Sequence, residues 1–289
     1  TTASGFVELN IRVVVDRKNE GAMITTAGKT MRLKKGDWSD WFACEFVVSP
    51  EYTVHAISRL YLMDAGERFN LYVDSFQYHP DHPYLPFSNP PEYTAELHKR
   101  YGLYKTIGWA YDTHALRQDR LTEAAFMEDI WKTMAWRERL ALDEMQKNNY
   151  ELFISAWTAT DRVAHLFWRF RDEEHLAYTR EGAREYGDIV EKTYDRMDEI
   201  VGKASALLGP EDLLFVLSDH GFGSFRIGFS VNTWLVRNGY ATLIGQRNPL
   251  TAEGTRGSLQ DFDWARTRAY ALGLSSLYLN IRGRERNGV

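Results

Sequence analysis

The 289 residues (33.5 kDa) are 44% hydrophobic, 14% aromatic and 26% charged, a balance that excludes disorder and, at about 150 residues per domain, predicts about two folded domains. Lys plus Arg number 35 against 40 Asp plus Glu, a net charge of -5, so no general attraction to nucleic acid or to an acidic membrane is expected. The single Cys44 can build neither an internal disulfide nor a thiolate cage, so any metal must be held by His and carboxylate, and no uncharged run approaches the about 20 apolar residues of a membrane span. These features read as a soluble globular chain. It opens with Thr1-Thr2-Ala3-Ser4-Gly5, lacks a signal-peptide pattern, and stops at Gly288-Val289 after a strand-like run; the expectation is a piece of a longer chain.

In chain order, Val7, Leu9, Ile11, Val13 and Val15 recur at a period of two, which predicts a strand with one buried face. Ala43 to Val48, Ile57 to Met63 and Phe69 to Phe76 follow as short runs separated by turn-forming segments such as Lys35-Gly36-Asp37 and Asp64-Ala65-Gly66. This spacing predicts an antiparallel sandwich or small barrel over roughly the first 80 residues. Pro80, Pro83, Pro86, Pro90 and Pro91 withdraw backbone donors and mark a boundary, giving a β-rich module over 1–91 and an α/β domain over 92–289.

Beyond the prolines the rhythm becomes helical. Thr122 predicts a cap, followed by Phe126, Ile130 and Met134 on one face. Leu152-Phe153-Ile154 predicts a strand that leads into a helix reaching about Phe170. Val190, Tyr194, Met197, Val201, Ala204 and Leu208 predict a long helix, stopped by Gly209-Pro210. Leu213 to Leu217 then reads as a strand covered on both faces. Strand, helices, strand is a parallel crossover unit, so the fold class is α/β with helices flanking a mostly parallel sheet.

Two places put Asp and His together just after a predicted inner strand. Asp161 and His165 share one helical face, their β-carbons about 5–6 Å apart, a gap that suits a cation bound at about 2.0–2.2 Å by each. Asp219 and His220, in Ser218-Asp219-His220-Gly221-Phe222, leave the end of the second strand, where Gly221 permits a sharp bend. Ligands of open α/β sheets bind beyond such strand ends. The plain alternatives are a surface Asp–His pair in the first case and a turn capped by Asp219 in the second. Together the two pairs offer half the ligands of a two-metal centre.

These residues resemble the alkaline phosphatase superfamily, specifically its branch of type I phosphodiesterase/nucleotide pyrophosphatase-like phosphohydrolases or phosphomutases. The resemblance extends through Asn89-Pro90-Pro91-Glu92-Tyr93, Tyr101-Gly102-Leu103-Tyr104 and Val231-Asn232-Thr233-Trp234-Leu235. It covers the chain from about Phe69 onward, and the β-rich beginning looks like the module inserted into this branch's catalytic domain. The resemblance implies that Asp161 and His165, with a histidine near the family's C-terminus, hold the metal facing the leaving group and the hydrolytic water. It implies that Asp219 and His220, with an N-terminal aspartate and a nucleophilic Thr or Ser, hold the metal that lowers the nucleophile's pKa. Two divalent ions roughly 3.5–4 Å apart are expected, zinc first with manganese compatible.

The expected activity is hydrolysis of a small-molecule phosphate ester, diester before monoester, through a covalent phosphoenzyme. Phosphomutase chemistry at the same centre is the enzymatic alternative, and a non-catalytic binding protein retaining some ligands is the other. No segment resembles the family's opening strand, neither Thr1 nor Thr2 has the nucleophile's context, and His220 is the last histidine. The expectation is an incomplete catalytic domain, its nucleophile and remaining ligands elsewhere, and inactive alone.

Other residues are assigned plainer roles. Asp112 and His114 read as loop hydrogen-bonders. His79 and His82, between prolines, imitate a metal clip but read as a solvated linker, and His55, His98 and His175 have no ligand partner at a telling spacing. Arg162, Arg169, Arg171 and Arg226 flank the two motifs as candidate phosphate contacts or as solvated charges. Trp38, Trp41, Phe42 and Phe46 read as core.

Overall fold

A computed structural model describes residues 7–147, 149–245, 259–273 and 276–289. The chain divides into two compact units, Thr1–Ser224 and Phe225–Val289. It is a mixed α/β structure whose sheets are small and antiparallel. No described helix is long and apolar enough to cross a membrane.

The first unit begins with a meander of β1 (Ile11–Asp16), β2 (Gly21–Thr26) and β3 (Lys29–Lys34). The period of two predicted for the first strand appears as alternating exposure along β1. Strands β2 and β3, which the sequence analysis does not anticipate, join through Ala27-Gly28. Both residues have positive φ (47° and 73°), the backbone of a two-residue hairpin normally announced by Asn-Gly. Next come β4 (Phe42–Ser49), β5 (Tyr52–Ser58), β6 (Leu60–Ala65), β7 (Phe69–Val73) and β8 (Gln77–Tyr78), paired as β4-β5-β8 and β6-β7. Ile24, Phe42, Leu60 and Leu62 have no exposed surface and form a core with Ala22, Leu33 and Cys44.

The predicted strand Ile57 to Met63 is two strands, broken at Arg59. Buried Arg59 is held by Asp74 and Asp129, each 2.7 Å away, and lies 4.5 Å and 4.4 Å over the rings of Trp38 and Trp41. Lys105 closes the cluster on Asp129. Two buried cations thus face two buried carboxylates, the condition under which charge tolerates a dry interior. Burial pushes the Asp74 carboxyl up and Lys105 down, whereas Asp129 and Asp74 hold the Arg59 guanidinium up against the same burial.

Helices follow: α1 (Tyr93–Tyr101), α2 (Thr113–Arg117), α3 (Glu123–Gln146), α4 (Ala159–Phe167), α5 (Arg180–Tyr186) and α6 (Ile189–Ser205). Thr122 caps α3 as its position predicts, accepting from Ala125 N at 3.2 Å. Phe126, Ile130 and Met134 are buried with Val163 and Phe167 of α4 and Ile189 and Val190 of α6. Each such side chain contributes roughly 1.5–3 kcal/mol on burial. The same core takes in Trp38, Tyr61 and Tyr72 from the β-rich part.

The two segments predicted as inner strands do not form ladders among the described residues. Glu151 to Trp157 and Leu213 to Leu217 are irregular, and Leu152, Ile154, Leu213 and Leu217 are each at least 75% exposed. An apolar run becomes a strand only where another strand takes its backbone groups and a packed layer covers its faces, and the described residues supply neither here.

In the second unit, Ser230 caps α7 (Val231–Arg237), accepting from Thr233 N at 3.3 Å, and β9 (Ala269–Leu272) pairs with β10 (Ser276–Leu279). The Asn232 side chain clamps the backbone of Ala271 from both sides, at 2.9 Å and 2.7 Å. Leu235, Ala241, Phe262 and Ala269 make this unit's own core.

Candidate metal centre

Helix α4 buries Ala159, Val163, Ala164, Leu166 and Phe167, which turns the remaining face outward. Asp161 and His165 lie one turn apart on that face, with Asp161 Oδ1 3.3 Å from His165 Nε2. The irregular segment after Leu217 brings Asp219 and His220 to the same place. His220 Nε2 lies 3.7 Å from Asp161 Oδ1 and 3.7 Å from Asp219 Oδ2. The four side chains therefore form a connected chain of contacts in the first unit, although 219 − 161 = 58 positions separate Asp161 from Asp219 in sequence. They do not close on one point, since no three of these residues offer donor atoms that all lie within 4.8 Å of one another.

Neighbours hold these side chains in place. Arg162 pairs with Asp161 Oδ2 at 3.0 Å and stacks 3.6 Å from the Trp109 ring. Phe222 meets His165 edge-on at 4.8 Å and Trp168 at 5.2 Å. Beside these rings a cavity of about 330 Å³ is lined by Trp168, Arg171, Tyr194 and Phe222 among others. His220 Nδ1 lies 2.8 Å from the Gly221 carbonyl. A carbonyl only accepts, so Nδ1 carries the hydrogen and the neutral ring keeps the Nε2 lone pair toward Asp161. That carbonyl, then Asp219 and Asp161, raise the His220 pKa. Gly221 contributes this oxygen and does not adopt the positive φ expected of a sharp bend.

The candidate phosphate contacts are mostly committed elsewhere. Arg169 pairs with Glu123 at 2.8 Å, and Arg171 with Glu191. Arg226 is exposed in the second unit. Asp112 caps α2 on Ala115 N at 2.8 Å and receives the Tyr72 hydroxyl at 2.7 Å, a structural role in keeping with its loop position.

Comparison with known families decides the wider assignment, because the type I phosphodiesterase / nucleotide pyrophosphatase family matches residues 56–286. The chain belongs to this family. The family is a branch of the alkaline phosphatase superfamily, and its members are phosphoric ester hydrolases. The match begins within β5, earlier than the resemblance read from Phe69 onward. No curated protein and no solved structure gave a match.

Proposed function

We propose that the chain carries part of the catalytic centre of a metal-dependent phosphodiester hydrolase, in which Asp161 with His165 and Asp219 with His220 hold two divalent cations, zinc or manganese. The observation behind this reading is the meeting of Asp161 with both His165 and His220 within 3.7 Å. The donor set fits such ions: two carboxylates and two imidazoles, all partly exposed, with the His220 Nε2 lone pair presented by its bond to Gly221. When bound, the cations supply charge that offsets the phosphoryl oxygens during in-line displacement. Arg162 holds the orientation of the Asp161 carboxylate, and Phe222 fixes the plane of the His165 ring.

Two donors per ion are fewer than the four of a tetrahedral site. The remaining positions fall to donors other than these four, and the phosphoryl-accepting Thr or Ser lies in another segment. In the same reading, 1–91 is a β-rich module inserted into the catalytic domain that continues over 92–289. Segments 151–157 and 213–217, irregular in this structure, would pair as strands of its mostly parallel sheet when neighbouring strands are present, a role supported by their exposed apolar side chains and by their position just ahead of each ligand pair.

Equilibrium dialysis against zinc and against manganese tests the site: Asp161→Ala and Asp219→Ala should each lower the number of ions bound per chain, and unchanged counts in both would overturn it. In excess of either metal the 289-residue chain should not turn over a chromogenic phosphodiester. A longer chain that includes the nucleophile should do so, and should lose that turnover on Asp161→Ala.

A further inference from the structure

A second group of residue types that ligate metals is formed by other side chains, in the turn after β8 and on α1. His79 and Asp81 sit in the turn after β8, where the His82 amide donates to the His79 carbonyl at 3.0 Å and the Asp81 amide donates to His79 Nδ1 at 3.2 Å. Helix α1 brings His98 across to them, placing its Nδ1 2.9 Å from both Asp81 oxygens. Among the described residues, His79, Asp81 and His98 are the single set of three histidine, cysteine or acidic side chains whose donor atoms all lie within 4.8 Å of one another. The His82 ring lies 5.6 Å from His79 and 4.7 Å from His55, so four of the chain's eight histidines collect in one place.

We propose that His79, Asp81 and His98 bind one divalent transition-metal ion of the zinc class, which ties the proline-rich turn to α1. The donor types are those of zinc sites, two imidazoles and a carboxylate. Two donors on a tetrahedral zinc stand about 3.3 Å apart for bonds of about 2.0–2.1 Å, so the His98–Asp81 pair needs to open by only a few tenths of an ångström. Water completes the coordination, because all three side chains are partly exposed. Burial lowers the pKa of His79, and the neighbouring rings of His98, His82 and His55 add to that while Asp81 opposes it. Histidine ligates a metal as the neutral imidazole, so ion binding at His79 and His98 would release any proton they carry. The spacing of these residues in sequence conceals the site, since His98 comes from a helix 17 positions beyond Asp81. The inference is independent of the phosphodiester reading.

The test uses tag-free protein in which Asp161→Ala and Asp219→Ala remove the other candidate ions. Titrated with Co²⁺, this chain should bind one ion with visible ligand-field bands that Zn²⁺ abolishes. Adding His98→Gln, or His79→Gln with His98→Gln, should remove the bands while the far-ultraviolet circular dichroism stays the same. Zn²⁺ should also slow proteolysis between Pro80 and Pro91 in the background chain and leave it unchanged in the His98→Gln chain. No Co²⁺ binding at micromolar concentration by the background chain, or equal binding after both histidines are replaced, would overturn the proposal.

Discussion

Two clusters of ionisable side chains in the first unit make an instructive pair. Arg59, Lys105, Asp74 and Asp129 are buried, each at most 9% exposed at the side chain, and their charges balance two against two. Asp161, His165, Asp219 and His220 are wet, with side-chain exposures of 28, 46, 90 and 54%. Their two carboxylates face imidazoles that are charged only when protonated, with Arg162 the full cation in contact. The first cluster satisfies itself and so serves the fold. The second leaves donor atoms facing solvent, where a cation from outside can reach them. The proposed metal centre rests on the contacts of Asp161 with His165 and His220, and that asymmetry is in keeping with it.

The comparison breaks most visibly at Asp129. Asp129→Ala removes the carboxylate paired with buried Lys105 and leaves Arg59 with Asp74 alone, and leaving a buried charge uncompensated costs about 3–5 kcal/mol. Urea denaturation should show that loss, and a cost below about 1 kcal/mol would mean that the cluster is effectively solvated. Tyr72→Phe probes the edge of the same network, since its hydroxyl donates to Asp112 at 2.7 Å. An expected loss of about 1–3 kcal/mol follows from removing a hydrogen bond to a charged acceptor.

At the wet cluster the ranking should invert. Asp161→Ala ought to change metal-free stability by no more than about 1 kcal/mol, because its two histidine partners are about half exposed and only Arg162 is shielded. Its effect should fall on ion binding instead. A large stability loss from Asp161→Ala would make the site structural and weaken the functional reading.

How far the sequence reveals these two clusters differs for a physical reason. Asp161 with His165, and Asp219 with His220, are close in sequence, so helical period and motif place each pair, and only the meeting of the pairs needs the fold. The cluster around Arg59 draws on residues 59, 74, 105 and 129, and no local period relates them. The same holds for His98 beside Asp81. Helices α3, α4 and α6 are legible because a single face repeats over several turns. Strands β2 and β3 are missed because Ala27-Gly28 is a weak turn signal and the charges of Lys29, Arg32 and Lys34 dilute the alternation. The runs at 151–157 and 213–217 carry strand patterning that the described residues leave unpartnered.

The smallest effect is also the most diagnostic of how the wet cluster is wired. Asp219 is 90% exposed at its side chain, so Asp219→Asn should leave stability unchanged within a few tenths of a kcal/mol. It should nevertheless move His220, whose pKa is raised first by the Gly221 carbonyl and next by Asp219. Followed by NMR in metal-free protein, the His220 ring should titrate above the ordinary value of about 6.5, and Asp219→Asn should bring the midpoint down while leaving it above that value. Because the folded pKa is raised, the interactions of protonated His220 favour the fold below the ordinary midpoint and are lost as pH rises through the raised one. Ion binding runs the other way, strengthening over the same interval as the proton leaves Nε2. A His220 midpoint that ignores Asp219 would place the two side chains apart in solution and disconnect the second pair from the first.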